Sequence, residues 1–404
     1  MSNASWKVAG LFAGIGGVEL GLERALGNQI ETLTFCEWWE PAQAVLRARF
    51  EGVPIDTDVR NMRKLPDGTN LVTAGFPCTD LSQAGRTAGI AGENSGLVVN
   101  VFRLLEDAQE RTGHLPTLLI ENVPNMLALD RGKAMSYLIA EIERLGYPWA
   151  YRVVDSRFTG VPQRRRRVIL VASVDFDPKS ILFADDAGDR SDDFHDDMFG
   201  FYWTEGRGGL GWAQDAVPTL KGGSTIGIPS PPAVWVRGAE LGRRLVKPSV
   251  EDAEAMQGFD RGWTNVEHLS SRRNGPRWKL VGNAVTVGVS RWVGSRLLSP
   301  GDPVVEFRDW EPGRGAWPAA AAGSAGRIQV PVDLSEFPTH EGYNHLAQMI
   351  DASAAEALSL RGAKGFWNRL QQGNLGRYPG FRADVQEHID ALERAQTGSE
   401  PLFR

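Results

Sequence analysis

Residues 71–85 read LVTAGFPCTDLSQAG, and the fold follows from how this stretch is divided. Leu71–Ala74 is a short apolar run of the kind that forms a buried strand. It ends at Gly75-Phe76-Pro77, and Cys78 comes next. A polar, glycine-dotted loop then runs to Gly96. A thiol presented by a proline-constrained turn at the carboxyl end of a strand stands where an open α/β sheet places its chemistry. The ordinary alternative is a half-buried structural cysteine, and the rest of the chain must decide.

Upstream, Trp6–Phe12 reads as an apolar strand. Ala13-Gly14-Ile15-Gly16-Gly17 and the helical pattern VELGLERAL follow it. Strand, glycine turn and helix open a nucleotide-type binding unit, because glycine lets a ligand approach the backbone and the helix start offers free N–H groups. Ile30–Cys36 is a second strand ending at Glu37, an acid placed to accept hydrogen bonds from a ribose diol. Trp38 and Trp39 offer flat surfaces for a base. Asp58 falls where a third strand would end, although a capping role fits an acid there as well. Leu97–Arg111 reads as a helix, Pro116–Ile120 as a strand ending at Glu121, Ala134–Leu145 as a helix and Tyr151–Asp155 as a strand. Gln163-Arg164-Arg165-Arg166-Arg167 leads into the apolar Val168–Ala172. In an extended chain Gln163, Arg165 and Arg167 share a face, and arginines entering a buried strand need anionic partners. Repeated strand–helix units imply a doubly wound, mostly parallel sheet.

With 404 residues, 42% hydrophobic and 23% charged, the chain has room for two or three globular domains. No apolar run approaches a membrane span and the N-terminus has no signal-peptide core, so a cytoplasmic protein with no membrane partner is expected. The 2 cysteines cannot form a disulfide framework. The 6 histidines show no metal-ligand spacing, so no metal is expected. A net charge of −6 argues weakly against a nucleic-acid binder, but local patches decide that question. Residues 199–240 are rich in Gly, Pro and Trp and read as loops and short strands of a separate, smaller domain, to which Arg237, Arg243, Arg244 and Lys247 give a locally basic end. Residues 313–326 (GRGAWPAAAAGSAG) read as a linker and 341–404 as helical.

Taken in order, these motifs resemble the DNA cytosine-5 methyltransferases of the bacterial modification type, over roughly residues 8–298. FAGIGG resembles the family's S-adenosylmethionine loop, GFPCTDLS its nucleophile motif, and Glu121-Asn122-Val123 its ENV motif. Gln163–Arg167 matches Gln-x-Arg-x-Arg, RRLVKPSVEDAEAMQGF resembles the helix before the last motif, and Gly282-Asn283-Ala284-Val285 resembles that motif. Single motifs of this kind are weak, but six in order are specific.

The resemblance implies a Rossmann-like class I S-adenosylmethionine-dependent fold. It also implies a catalytic domain at 1–175 plus 278–300, a target-recognition domain at 176–277, and a linker with a helical extension at 301–404. It makes Cys78 the nucleophile toward cytosine C6, Glu121 the group that holds the base, and Arg165 and Arg167 its anchors. S-adenosyl-L-methionine is the implied methyl donor, held by Phe12, Gly14, Ile15, Gly17, Glu37, Trp38, Asp58, Val59, Pro77, Leu97, Asn283 and Val285. Ser82, Arg86, Gln163, Arg237 and Arg243 are the implied contacts to double-stranded DNA. The implied protein is a monomer that flips its target base and works beside a cognate restriction endonuclease. A tRNA methyltransferase on the same fold and a non-catalytic DNA-binding protein are the rival readings. Thr79 departs from the family's commoner Gln after the nucleophile.

Overall fold

The computed structural model describes residues 6–77, 96–190, 193–204, 209–222, 231–267, 269, 275–313 and 315–397. Cys78, Ser82 and Arg86 therefore lie outside the described residues. The chain divides into two compact units. The first comprises Met1–Thr159, Arg166–Asp189 and Ala284–Glu341, and the second Gly160–Arg165, Arg190–Asn283 and Gly342–Arg404.

The first unit is built on a 10-stranded sheet. Trp6–Leu11 lies inside it, paired in parallel with Ile30–Cys36 on one side and with Leu71–Ala74 on the other. Ile55–Asp56 extends the first side, and Thr117–Asn122 continues the second in parallel. Beyond Thr117–Asn122 the pairing turns antiparallel, through Arg166–Ala172 and then Trp149–Asp155. Helices Gly17–Leu26, Glu40–Arg49, Leu97–Thr112 and Lys133–Arg144 are the parallel crossovers and their companions. The strands Leu71–Ala74 and Trp149–Asp155 are buried at every position, and the parallel-paired Leu71–Ala74 accordingly reads as an apolar run rather than an alternating one.

The last motif is tied to the first by two close helix approaches. A Cβ on Gly21 would stand 2.4 Å from the Val287 carbonyl oxygen, and one on Gly294 would stand 2.7 Å from Ala25 Cβ. Helix Val287–Leu298 therefore lies directly on helix Gly17–Leu26. Residues Ala284 and Val285 are delivered to the same unit as the glycine loop.

The second unit has a 5-stranded antiparallel sheet of Ala213–Gln214, Met198–Phe201, Ala233–Val236, Leu245–Lys247 and Glu356–Ala357. Helices Leu360–Gln372 and Phe381–Thr397 supply much of its core. Phe381 stacks edge-on to Phe201 at 5.2 Å and lies 5.3 Å from Trp235, and all three rings are buried.

Two boundaries expected from sequence are corrected here. Residues 313–326 are not a linker throughout, because Ala320–Ser324 pairs with Trp149–Asp155 and with Arg327–Pro331 as part of the large sheet. The alanine run suggested flexibility, but small side chains also suit a strand packed against large rings, and Gly323 lies on Trp149. The helices within residues 342–397 are likewise not an appendage, since their aromatic residues complete the core of the second unit. Truncating Phe381 to Ala should cost about 3–5 kcal/mol. In urea unfolding this should appear as an early transition of the second unit with cofactor binding retained, and an unchanged midpoint would count against a shared core.

Candidate methyl-transfer site

The site is set by strand register. Leu11 pairs with Cys36 on one side and with Ala74 on the other, and Ala74 pairs with Ile120. One residue further along each strand stand Phe12, Glu37, Gly75 and Glu121, all in a row at the carboxyl ends. The strand order reverses between Trp6–Leu11 and Leu71–Ala74, and this switch point is where open α/β sheets bind ligands.

On the glycine-loop side, Gly14 adopts φ +56° with open space where a Cβ would project. Phe12 also lies in the left-handed region, at φ 57°, and its ring meets Phe76 edge-on at 6.2 Å. Gly16, at φ +77°, has no room for a side chain, since a Cβ would lie 2.3 Å from the Phe50 ring. Gly17 begins the helix and Ile15 is buried beneath it. Glu37 holds this loop, its Oε2 accepting from Gly14 N at 2.8 Å and its Oε1 from Trp39 N at 2.7 Å. Burial raises the Glu37 pKa, and these backbone donors oppose the shift. Each carboxylate oxygen keeps a further lone pair for a ligand hydroxyl. Trp38 projects from this rim with 75% of its surface exposed. Val59 is buried. Asp58 is engaged by Arg60 in an ion pair of 2.6 Å, which pulls its pKa below the usual value. Its carboxylate also accepts from Arg60 N, an Asx turn with no helix following it, so Asp58 is not a helix cap.

On the other side, Glu121 and Arg167 form an ion pair, Nε to Oε1 at 2.7 Å, with side-chain exposures of 13% and 11%. The approach is close but poorly aligned, and Oε1 is left without a hydrogen-bond donor among the described residues. A buried carboxylate oxygen in that state is available to a ligand's N–H. The neighbouring Asn122 is part of the ENV motif, but the sequence assigns it no role. Its Nδ2 donates to the Phe76 carbonyl oxygen at 3.0 Å, and its Oδ1 accepts from Val123 N at 2.9 Å. Asn122 thus ties the end of its own strand to the Gly75-Phe76-Pro77 turn that leads into Cys78. Gln43 was also missed, and it braces the other rim by donating to the Glu37 carbonyl at 2.7 Å. Pro77 is exposed and Leu97 half-buried at the start of its helix. Cys36 is buried, and its thiol is pushed up to about 12, first by burial and then by the nearby Asp56 and Glu37 carboxylates.

The arginine segment does not form one strand with a shared face. It breaks at Arg165, with Gln163–Arg164 pairing with Val217–Pro218 and Arg166–Ala172 joining the large sheet. Gln163 belongs to the second unit and is fully buried. Its Nε2 donates to Met256 O and Gln257 Oε1, each at 3.0 Å, and its Oε1 accepts from Leu220 N. It is therefore not a DNA contact. Arg165, 2% exposed, donates to the carbonyls of Leu220 and Gly282 at 3.0 and 3.2 Å. Through these two bonds the buried guanidinium ties the chain at residue 220 to the chain at residue 282. Arg237 pairs with Asp196 at 2.8 Å and Arg243 donates to the Ala355 carbonyl. Asn283 lies in the second unit with Val285 in the first.

Comparison with known proteins decides the family. Residues 6–184 match the model for C-5 cytosine-specific DNA methylases. Type II methyltransferase M2.BsuMI of Bacillus subtilis is 43% identical over 96% of this chain and 98% of its own length. The chain belongs to the C-5 cytosine-specific DNA methylases. It is thus a DNA cytosine-5 methyltransferase that takes its methyl group from S-adenosyl-L-methionine. Type II methyltransferase M.BsuFI, also of Bacillus subtilis, is 33% identical over a shorter stretch, 40% of this chain and 37% of its own length. The crystal structure of the S. pombe Dnmt2 methyltransferase superposes with a TM-score of 0.53 at 16% identity, covering 72% of this chain and 98% of that one. It shares the Rossmann-like class I fold. No described helix is long and apolar enough to cross a membrane.

For this methyltransferase the Asn122 link carries a kinetic consequence. Replacing Asn122 with Ala frees the Pro77 turn, and a displacement of about 1 Å at a reacting group costs on the order of a hundredfold in rate. Steady-state assays should show kcat falling with KM for the methyl donor little changed, and an equal loss in both would contradict a positioning role.

Proposed function

We propose that this methyltransferase acts on a cytosine rotated out of duplex DNA through a covalent bond between Cys78 Sγ and C6 of the base. It recognises a specific sequence and protects host DNA beside a cognate restriction endonuclease. The observation that carries this reading is the strand-end row, in which the buried, incompletely satisfied Glu121 carboxylate stands beside the turn that presents Cys78. Cytosine C5 is a poor nucleophile. Addition of the Cys78 thiolate at C6 pushes electron density onto C5, and a proton shared between Glu121 and N3 offsets the charge that develops on the ring. The exocyclic amine of the base donates to the other Glu121 oxygen. Arg167 holds the Glu121 carboxylate in place and favours thiolate at the neighbouring cysteine. Loss of the C5 proton to water then lets the carbon–sulfur bond break, restoring the aromatic ring and the free thiol.

The rim around Gly14 fits the methyl donor. Open space over Gly14, the braced Glu37 carboxylate and the exposed Trp38 ring match an amino-acid group, a ribose diol and an adenine in turn. Phe12, Ile15, Gly17, Val59, Pro77, Leu97 and Val285 complete that rim, and Asp58 contributes once Arg60 yields. The donor supplies an electrophilic methyl group when bound there. Sequence recognition belongs to the second unit, because the family match ends at residue 184 while most of that unit lies beyond it. The relative named a Type II methyltransferase supports the restriction–modification setting.

Labelled methyl donor offered with duplex DNA and with tRNA separates the possible substrates. Label should enter cytosines of the duplex and leave tRNA untouched, and Cys78→Ala should abolish transfer while binding the donor near normally. Label entering tRNA alone, or turnover surviving in Cys78→Ala, would overturn the proposal.

A further inference from the structure

The second unit holds a polar cluster that methyl transfer does not use. His195, Asp215 and His345 come from separate stretches of chain, yet their ligating atoms all lie within 4.8 Å of one another. Asp215 is fully buried and sits in the left-handed region at φ 47°. Its Oδ1 accepts from Leu346 N at 2.7 Å. Its Oδ2 accepts from His195 N at 3.0 Å and lies 2.6 Å from His345 Nδ1. The Asp215 carbonyl takes the Tyr343 hydroxyl at 2.8 Å. The two imidazole rings stack with centroids 3.5 Å apart and planes 7° from parallel.

Two features of this cluster call for a cation. A fully buried carboxylate needs a countercharge, and the groups bonded to Asp215 are backbone amides and an imidazole that carries charge only when protonated. Two imidazoles held face to face cannot both be protonated without repulsion, whereas two neutral imidazoles and one carboxylate are the donor set of zinc and similar ions. Zinc–nitrogen bonds of about 2.0–2.1 Å put two nitrogens on a tetrahedral ion about 3.4 Å apart, within the 4.8 Å that the ligating atoms of this cluster span. Parallel rings point their nitrogens the same way, so one must splay to share an ion. His195 is exposed and can do so while its backbone N–H stays on Asp215.

We propose that His195, Asp215 and His345 bind a divalent transition-metal ion of the zinc type. The metal replaces the proton between His345 Nδ1 and Asp215 Oδ2, and water takes the remaining position. Any proton on Nδ1 leaves to solvent as the ion enters. The bound ion staples the chain around residue 345 to the turn at 215 and to the loop at 195, where Phe194 packs 5.1 Å from Tyr343 and Arg190 lies over the same ring at 5.0 Å. It fastens the C-terminal part of the second unit to the segments that open its sheet.

The full-length chain, stripped with chelator, is titrated calorimetrically with zinc chloride alone and in parallel with cobalt chloride under visible and near-ultraviolet absorption. One equivalent should bind and raise Tm, and the cobalt spectrum should lack a thiolate charge-transfer band, which separates this site from Cys78. His195→Ala should bind at least tenfold more weakly while its metal-free Tm matches that of the unaltered chain. His345→Gln should lose the same equivalent. Absence of saturable binding, a thiolate band, or an unchanged equivalent in His195→Ala would each overturn the proposal. So would a Tm that responds to pH but not to zinc, because a proton alone would then satisfy Asp215.

Discussion

The hydrogen-bonded register that aligns Cys36, Leu11, Ala74 and Ile120 fixes where the chemistry of this protein stands. In a parallel sheet a one-residue slip of any strand would turn its side chains to the opposite face. Here the residues that reach this level, Leu11, Cys36, Ala74 and Ile120, are all buried, so Phe12, Glu37, Gly75 and Glu121 emerge at the same level. Site precision is inherited from the core rather than created by the loops. Asn122 and Gln43 add only the last link, Asn122 tying its strand end to the Phe76 carbonyl and Gln43 tying helix Glu40–Arg49 to the Glu37 carbonyl.

The two cysteines differ in their sequence settings. Cys36 is the last residue of a strand, buried among carboxylates, and its thiol is held far from ionisation. Cys78 follows Pro77 in sequence, after the strand Leu71–Ala74, and the covalent role is proposed for it alone.

What could be read from the chain was local. The glycine loop, the acid after the second strand and the proline turn before Cys78 each mark a backbone that must bend or a strand that must stop, and neighbouring residues dictate those events. What could not be read depends on contacts between distant segments. Gln163 and Arg165 have the composition of a nucleic-acid contact, but partners near residues 220, 257 and 282 bury them. Residues 320–324 resemble a linker until their pairing with Trp149–Asp155 is seen. Helix Phe381–Thr397 reads as an appendage until Phe381 is found against Phe201. The histidine spacing hid the cluster around Asp215 for the same reason. Fold class was legible because its signals are serial; the second unit was not, because its core joins residues around 201–245 to residues around 358–389.

The central claim is that the strand-end row places Cys78 to bond covalently to the target base. A duplex made with 5-fluorocytosine in place of cytosine tests it most directly, since fluorine cannot leave as the C5 proton does and the adduct is trapped. Incubation with the methyl donor, followed by peptide mass spectrometry, should find the base attached to the peptide that carries Cys78, in one equivalent per chain. An adduct on any other residue, or methylated fluorocytosine released with no adduct at all, would contradict the account.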